Sequence, residues 1–455
     1  MFKGIDKVKE EINKEILISK LSSGCKQKSQ WLVGTEHEKF GFRKKDLSPI
    51  NFEDIQKIFS ILSEKYKWEM IFEQKNIIGL KKDNASITLE PGGQIELSGA
   101  PLKNLFQTCN EVNKHHDELN DVCKSLGINF MGMGVLPKWE LSDLDLMPKK
   151  RYEIMTNYMP TVGESGLDMM MRTTTIQANF DFSSEQDMAK KLRVSQSIQP
   201  IIIALYANSP FIGGKLTNYL SYRSLIWTKT DSDRCGLLPF IYENDFSFER
   251  YVDYLLNVPM YFIIRGKQYI NLSGVTFKDF LDQKTKKTKE FEPNIHDWEV
   301  HMTTVFPEVR LKSFIELRGA DGGPWSRVCA LPAFWTGILY DDEILDEVWS
   351  LAEHWKFDDI TIFYENARRF GLKTKNPDGE DLISFAKKII DLSGKGLRRR
   401  DVTKSGKNEE FFLEPLKEIL LSGNCPAENW KNLYFNEWSN NVDMIYKTNY
   451  FKNER

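Results

Sequence analysis

The sequence predicts an α+β fold with a largely antiparallel sheet and a helical C-terminal portion, on the strength of three observations. Short β-prone runs alternate with helical patterns through the first third of the chain. A Pro91-Gly92-Gly93 turn joins two such runs as a hairpin, which is an antiparallel connection. From about Trp325 onward, apolar residues recur at helical spacing with Gly and Pro between the segments.

The elements follow in order. Met1 to Lys20, with Ile5, Val8, Ile12, Ile16 and Leu17 among lysines and glutamates, reads as an amphipathic helix and not as an apolar leader, and the helical pattern runs to about Leu21. Trp31 to Phe42 reads as a strand and Phe52 to Tyr66 as a helix, after which short strands reach Leu97. Leu102 to Leu126 is a long helix behind Pro101, Ile128 to Met133 a strand, Met171 to Phe182 another, and Glu185 to Ala207 a helix. Leu311 to Asp321 returns to strand. Helical patterns then run through Leu339, Ile344 to His354, Leu382 to Leu392, Phe411 to Leu421 and Trp430 to Tyr446. Gln283 to Glu290 and Lys395 to Lys407 are polar and rich in Lys or Arg, as solvated loops are. With no internal repeat, residues 1–455 are expected to form a single catalytic unit, 1–325 being the sheet-containing core and 326–455 the helical portion.

Composition excludes several classes. Hydrophobic residues at 41%, charged residues at 28% and a net charge of -3 show neither disorder bias nor a basic field, so nucleic acid is not an expected partner. The apolar stretch around Ile201 to Leu205 is far shorter than the roughly 20 residues that cross a bilayer, so no membrane span is expected. Six cysteines without a CxxC pair indicate neither a zinc ribbon nor a secreted disulfide scaffold, which makes the cytoplasm the expected compartment.

Chemistry concentrates in carboxylates. In Thr35-Glu36-His37-Glu38 strand periodicity puts Glu36 and Glu38 on one face and His37 on the other, either as a solvated polar edge or as a paired acidic site. In Ser86 to Ser98, pairing Glu90 with Gln94 pairs Thr88 with Glu96 and leaves Leu89, Ile95 and Leu97 on the opposite face. Stacked like charges call for a cation unless the face is fully solvated, and an all-oxygen donor set suits magnesium, or manganese, better than zinc or copper. Glu316 and Arg318 share a face, as a metal and phosphate pair or as a structural ion pair. Thr173, Thr175, Gln177, Asn179 and Asp181 form a neutral-rich polar row, with Arg172 out of phase unless a bulge intervenes. Neither a P-loop nor a dinucleotide fingerprint is present, and His115 and His116, adjacent on a helix, are expected to be solvated or capped.

With these residues in view, the chain resembles the plant and proteobacterial type of glutamate-cysteine ligase, within the glutamine-synthetase-like superfamily. The resemblance covers nearly its full length. It is carried by GTEHEKFGF at 34–42, GGQIELSGAPL at 92–102, RYEIMTNYMP at 151–160, GLDMMMRTTTIQANFDFSSE at 166–185, NVPMYF at 257–262 and ELRGADGGPW at 316–325. It implies a curved antiparallel sheet of about six strands covered by helices, and ligation of the glutamate γ-carboxylate to the amine of cysteine at the expense of ATP. On the same resemblance Glu36, Glu38, Glu90, Glu96 and Glu316 are the magnesium set that grips ATP, with manganese a possible substitute. Arg151, Arg223 and Arg172 then serve the glutamate carboxylates, Gln177 and Asn179 orient substrate, and Arg318 and Arg151 act in catalysis. Cys109 and Cys329 match a redox-sensitive disulfide, which leaves either a monomer or a redox-linked homodimer. A second plant disulfide has no counterpart, because Tyr269 to Pro293 holds no cysteine. The open alternatives are a related ligase that uses another amine, and a non-catalytic relative that binds glutamate or nucleotide.

Overall fold

The antiparallel signals resolve into one nine-stranded sheet in the computed structural model, which describes residues 12–449. The strands are β1 (Val33–Arg43), β2 (Glu69–Glu73), β3 (Asn76–Lys82), β4 (Ala85–Leu89), β5 (Ile95–Ser98), β6 (Ile128–Met131), β7 (Thr175–Phe180), β8 (Val309–Leu311) and β9 (Ile315–Asp321). Their order is β8-β9-β7-β1-β5-β4-β3-β2, with β6 paired to the far end of β1, so the sheet is wider than the six strands expected. β1 is the hub: its first half lies between β7 and β5, and Phe40 to Arg43 pair with β6.

Register divides the sheet into two chemistries. Ile87, Leu97, His37 and Ile176 lie opposite one another in successive strands, and this row faces the helices. There Ile176, Ala178, Phe180, Ile315 and Leu317 pack with the helices Glu185–Tyr206 and Trp325–Leu339. Ile87, Leu89, Ile95 and Leu97 pack with Ile55, Ile58, Phe59 and Leu62 of the helix Phe52–Tyr66. That helix opens on a reciprocal Asn51/Asp54 capping box, which satisfies N–H groups that have no partner in the first turn. The alternate rows, Thr88–Glu96–Glu38 and Ser86–Ser98–Glu36–Gln177, carry polar side chains on the other face.

Several expectations change. Of the helix expected over Met1 to Lys20, the part before Ile12 lies outside the described residues, and the helix spans Lys14–Ser22. Met171 and Arg172 close a short helix, Gly166–Arg172, and the strand starts only at Thr175. Lys395 to Lys407 is not a loop throughout, because the helix Leu382–Arg400 continues through its basic last turn before a small ribbon at Thr403–Lys404 and Lys407–Asn408. Basic side chains at a helix C-terminus are favoured by the dipole. Beyond Trp325 the remaining regular structure is helical, including Phe357–Phe370, which the sequence reading passed over. No helix among the described residues is long and apolar enough to cross a membrane.

Candidate active site

The two hairpin strands deliver their carboxylates where the register predicts. Thr88 pairs with Glu96, Glu96 pairs with Glu38, and the Glu90 N–H donates to the Gln94 carbonyl at 2.9 Å. Gly93 closes the turn at φ +87, a conformation that favours glycine. The Gln94 amide then donates to the carbonyls of Met170 (3.2 Å) and Thr173 (2.9 Å), which fastens the hairpin to the segment entering β7. Glu36, Glu38, Glu90 and Glu96 thereby line one cavity with Thr173, Thr175 and Gln177.

These carboxylates are tethered but not neutralised. Glu38 accepts from the Thr175 N–H at 2.9 Å, Glu36 from Asn179 Nδ2 at 2.8 Å, Glu90 from Thr88 Oγ1 at 3.0 Å, and Glu96 from Ser98 Oγ. Burial and then the neighbouring Glu90 push Glu38 up to about 8. Burial, followed by Glu90, Glu36 and Glu38, holds Glu96 well above the ordinary carboxylate range. The face therefore carries more potential negative charge than it can keep ionised alone, and its oxygen donors fit a hard divalent cation. Among the described residues no three His, Cys, Asp or Glu side chains form a ready-made metal cluster, so the fit rests on donor chemistry and charge.

The cavity has a cationic part as well: Arg151, Arg223, Arg310 and Arg318 line it beside the carboxylates. Arg318 occupies the irregularity between Leu317 and Ala320 where β9 slips against β7, and its Nη1 donates to Gln177 Oε1 at 2.6 Å. Arg223 Nη2 donates to the Arg318 carbonyl at 3.0 Å, while its Nε and Nη1 have no hydrogen-bond partner although the residue is only 2% exposed. Arg151 Nε is likewise unpaired. Guanidinium nitrogens that are buried and idle are suited to an anionic ligand such as a carboxylate or phosphate.

Other expected residues fall elsewhere. Arg172 does not line the cavity: helical backbone turns it away to pair with Asp168 and Glu140. Glu316 is also absent from the lining, since Arg310, Lys312 and Arg318 all pair with its carboxylate. Burial would push Glu316 up, but those three cations overcome it and hold the group well below the usual range. Asn179 is not part of the cavity lining, and its Nδ2 donates to Glu36, which is. His115 and His116 are buried, because the helix Leu105–Leu126 covers the back of β1, where they meet His37 edge-on and His115 lies 3.0 Å from Lys39 Nζ. Arg310 was missed by the sequence reading, although its place opposite Glu316 in the β8/β9 ladder could have revealed it. Trp227 lines the cavity beneath Arg223 and Arg318, with guanidinium-to-ring distances of 5.5 and 5.7 Å. Cys109 and Cys329, both buried, meet as free thiols in hydrogen-bond contact, and burial raises Cys109 well above the ordinary thiol range.

Known proteins resemble this chain along nearly its whole length. The family model described as glutamate-cysteine ligase family 2 (GCS2) matches residues 32–447. The chain is 50% identical over 438 residues to the chloroplastic glutamate–cysteine ligase B of Oryza sativa subsp. japonica, covering 96% of this chain and 87% of that protein. It is 49% identical to the chloroplastic glutamate–cysteine ligase of Nicotiana tabacum, over 96% of this chain and 83% of that one. A crystal structure of glutamate–cysteine ligase from Francisella tularensis in complex with AMP aligns with a TM-score of 0.56 at 13% identity, over 90% of this chain and 85% of that one, a likeness of fold. The cytoplasmic expectation is overturned by the relatives' names, which place those from rice, tobacco, Medicago truncatula and Arabidopsis thaliana in the chloroplast; cysteine usage does not distinguish the two compartments. A family match over residues 32–447 and 50% identity to a named ligase across 96% of the chain lead to one conclusion: the chain belongs to glutamate-cysteine ligase family 2.

Proposed function

We propose that this ligase joins the γ-carboxylate of glutamate to the amino group of cysteine through a γ-glutamyl phosphate made from ATP. The observation that carries the reading is the cavity that Glu36, Glu38, Glu90 and Glu96 line together with Arg151, Arg223 and Arg318. The four carboxylates would hold magnesium, which supplies positive charge to the phosphates of ATP. The idle donors of Arg223 and Arg151 bind the glutamate carboxylates, and Arg318, kept in place by Gln177 and Glu316, stabilises the phosphoryl group in transfer. A γ-carboxylate oxygen attacks the terminal phosphorus, and the bond to ADP breaks. The cysteine ammonium loses one proton to solvent, the neutral amine attacks the acyl carbon, the bond to phosphate breaks, and the second nitrogen proton leaves with the departing phosphate as the amide forms. Exclusion of water by the bound substrates would limit hydrolysis of the acyl phosphate.

The same reading makes the Cys109/Cys329 thiol pair a redox-sensitive disulfide, because the two groups are already in contact. ADP release with ATP, glutamate and magnesium tests the main claim, with cysteine, 2-aminobutyrate, other amines or no acceptor compared side by side. The highest kcat/KM with cysteine supports it. Preference for another amine replaces the acceptor and keeps the chemistry, and turnover that no acceptor promotes refutes ligation.

A further inference from the structure

The irregularity that carries Arg318 is closed from behind by polar groups that the reaction does not consume. A Cβ at Gly319 would lie 1.8 Å from Gln199 Nε2 and 2.1 Å from Glu308 Oε2, so both side chains press on this point of β9. The Arg318 N–H donates to the Glu308 carbonyl at 3.0 Å, which ties the two backbones together. Glu308 Oε1 accepts from the Tyr364 hydroxyl at 2.5 Å, whereas Oε2 has no hydrogen-bond partner, as have both amide atoms of the buried Gln199. Burial raises the Glu308 carboxyl above its ordinary range, while the Tyr364 hydroxyl and then the guanidinium groups of Arg223, Arg318 and Arg368, two of which line the cavity, favour its charged form. Glu308 is 6% exposed, and a carboxylate buried there without a direct ion pair is costly unless it serves those cations.

We infer that Glu308 is a positioning residue for Arg318 and Arg223, held in place by Tyr364 from the helix Phe357–Phe370. Its charge fixes the two guanidinium groups from the side opposite the substrate, and its backbone carbonyl fixes the irregularity on which Arg318 stands. This gives the helical portion a direct hold on the reacting end of the cavity. The inference rests on the reading that these arginines handle the anions of the reaction.

Steady-state kinetics of the full chain test it with three variants. Arg318→Lys examines that underlying reading: a loss of about 100-fold or more in kcat upholds it, and full activity overturns it. Glu308→Gln keeps the shape and the acceptor for Tyr364 but removes the charge. It should lower kcat about tenfold and raise the KM for glutamate about threefold or more, with the KM for cysteine unchanged and Tm within about 2 °C of the parent. Tyr364→Phe keeps the charge and frees the carboxylate, and should give the same split at about half the logarithmic size, so it decides the matter if Glu308→Gln does not fold. Parental kinetics in both Glu308→Gln and Tyr364→Phe beside an inactive Arg318→Lys overturn the inference. So does a loss of kcat at unchanged KM for every substrate accompanied by a fall in Tm, which marks a merely structural role.

Discussion

Replacing Glu38 by Gln should abolish ligation and yet stabilise the metal-free protein. With a folded-state pKa pushed up to about 8 from an ordinary 4.5, Glu38 disfavours the folded state wherever the unfolded chain would ionise it. For an acid raised on folding the penalty begins above the unfolded pKa, grows as pH rises, and saturates above the folded one. At pH 7 the difference amounts to about 3 kcal/mol, and above pH 8 to about 5 kcal/mol, at about 1.4 kcal/mol per unit. Burying the Gln amide takes back part of this, so a net gain of about 1–3 kcal/mol at pH 7 is expected, about 2–5 °C in Tm for a chain of this size. Differential scanning fluorimetry at pH 5, 7 and 8 checks it: the gain should be small at pH 5 and largest at pH 8. Magnesium should raise the Tm of the parent more than that of the variant, because the parent has the charge to share with it. A variant less stable than the parent at pH 8 without metal, or equally stabilised by magnesium, refutes the argument.

Arg223→Lys removes two buried donors that have no other partner, and should raise the KM for glutamate about 10- to 100-fold, the value of one or two charge-assisted hydrogen bonds, as measured by ADP release. Arg172→Lys should instead lower Tm while moving the KM for glutamate less than about threefold, because Arg172 serves Asp168 and Glu140 outside the cavity. Gly319→Ala should cost about tenfold or more in kcat, since the added methyl meets Gln199 and Glu308 well inside contact distance. Air oxidation should remove two hydrogens from the intact mass of the parent and none from Cys109→Ser; a mass unchanged in both dismisses the disulfide.

Sequence reading succeeded where a local rule sets geometry. Strand alternation put Glu36 and Glu38 on one face, and the three-residue turn fixed the Thr88/Glu96 register, so four of the five expected carboxylates arrive together. It failed where geometry is set by neighbours distant in the chain. Arg172 was read through strand parity, but its backbone is helical, and only packing shows this. The pairing of Glu316 with Arg310 and Lys312 went unread, because these come from the antiparallel partner β8 and the β8/β9 turn. His115 and His116 seemed surface groups because one helix of period 3.6 can expose either, and the buried back of β1 that receives both is a tertiary fact. Glu308 lies in a segment, FPEVR, whose pattern carries no signal of its partnership with a tyrosine 56 positions on.

The most direct test of the central claim follows an oxygen atom. Glutamate carrying heavy oxygen in its γ-carboxylate is incubated with the enzyme, ATP, magnesium and cysteine, and the released phosphate is analysed by mass spectrometry. An acyl-phosphate route in the cavity predicts one labelled oxygen in each phosphate, released in step with the amide. Unlabelled phosphate, or phosphate released at the same rate without cysteine, contradicts it.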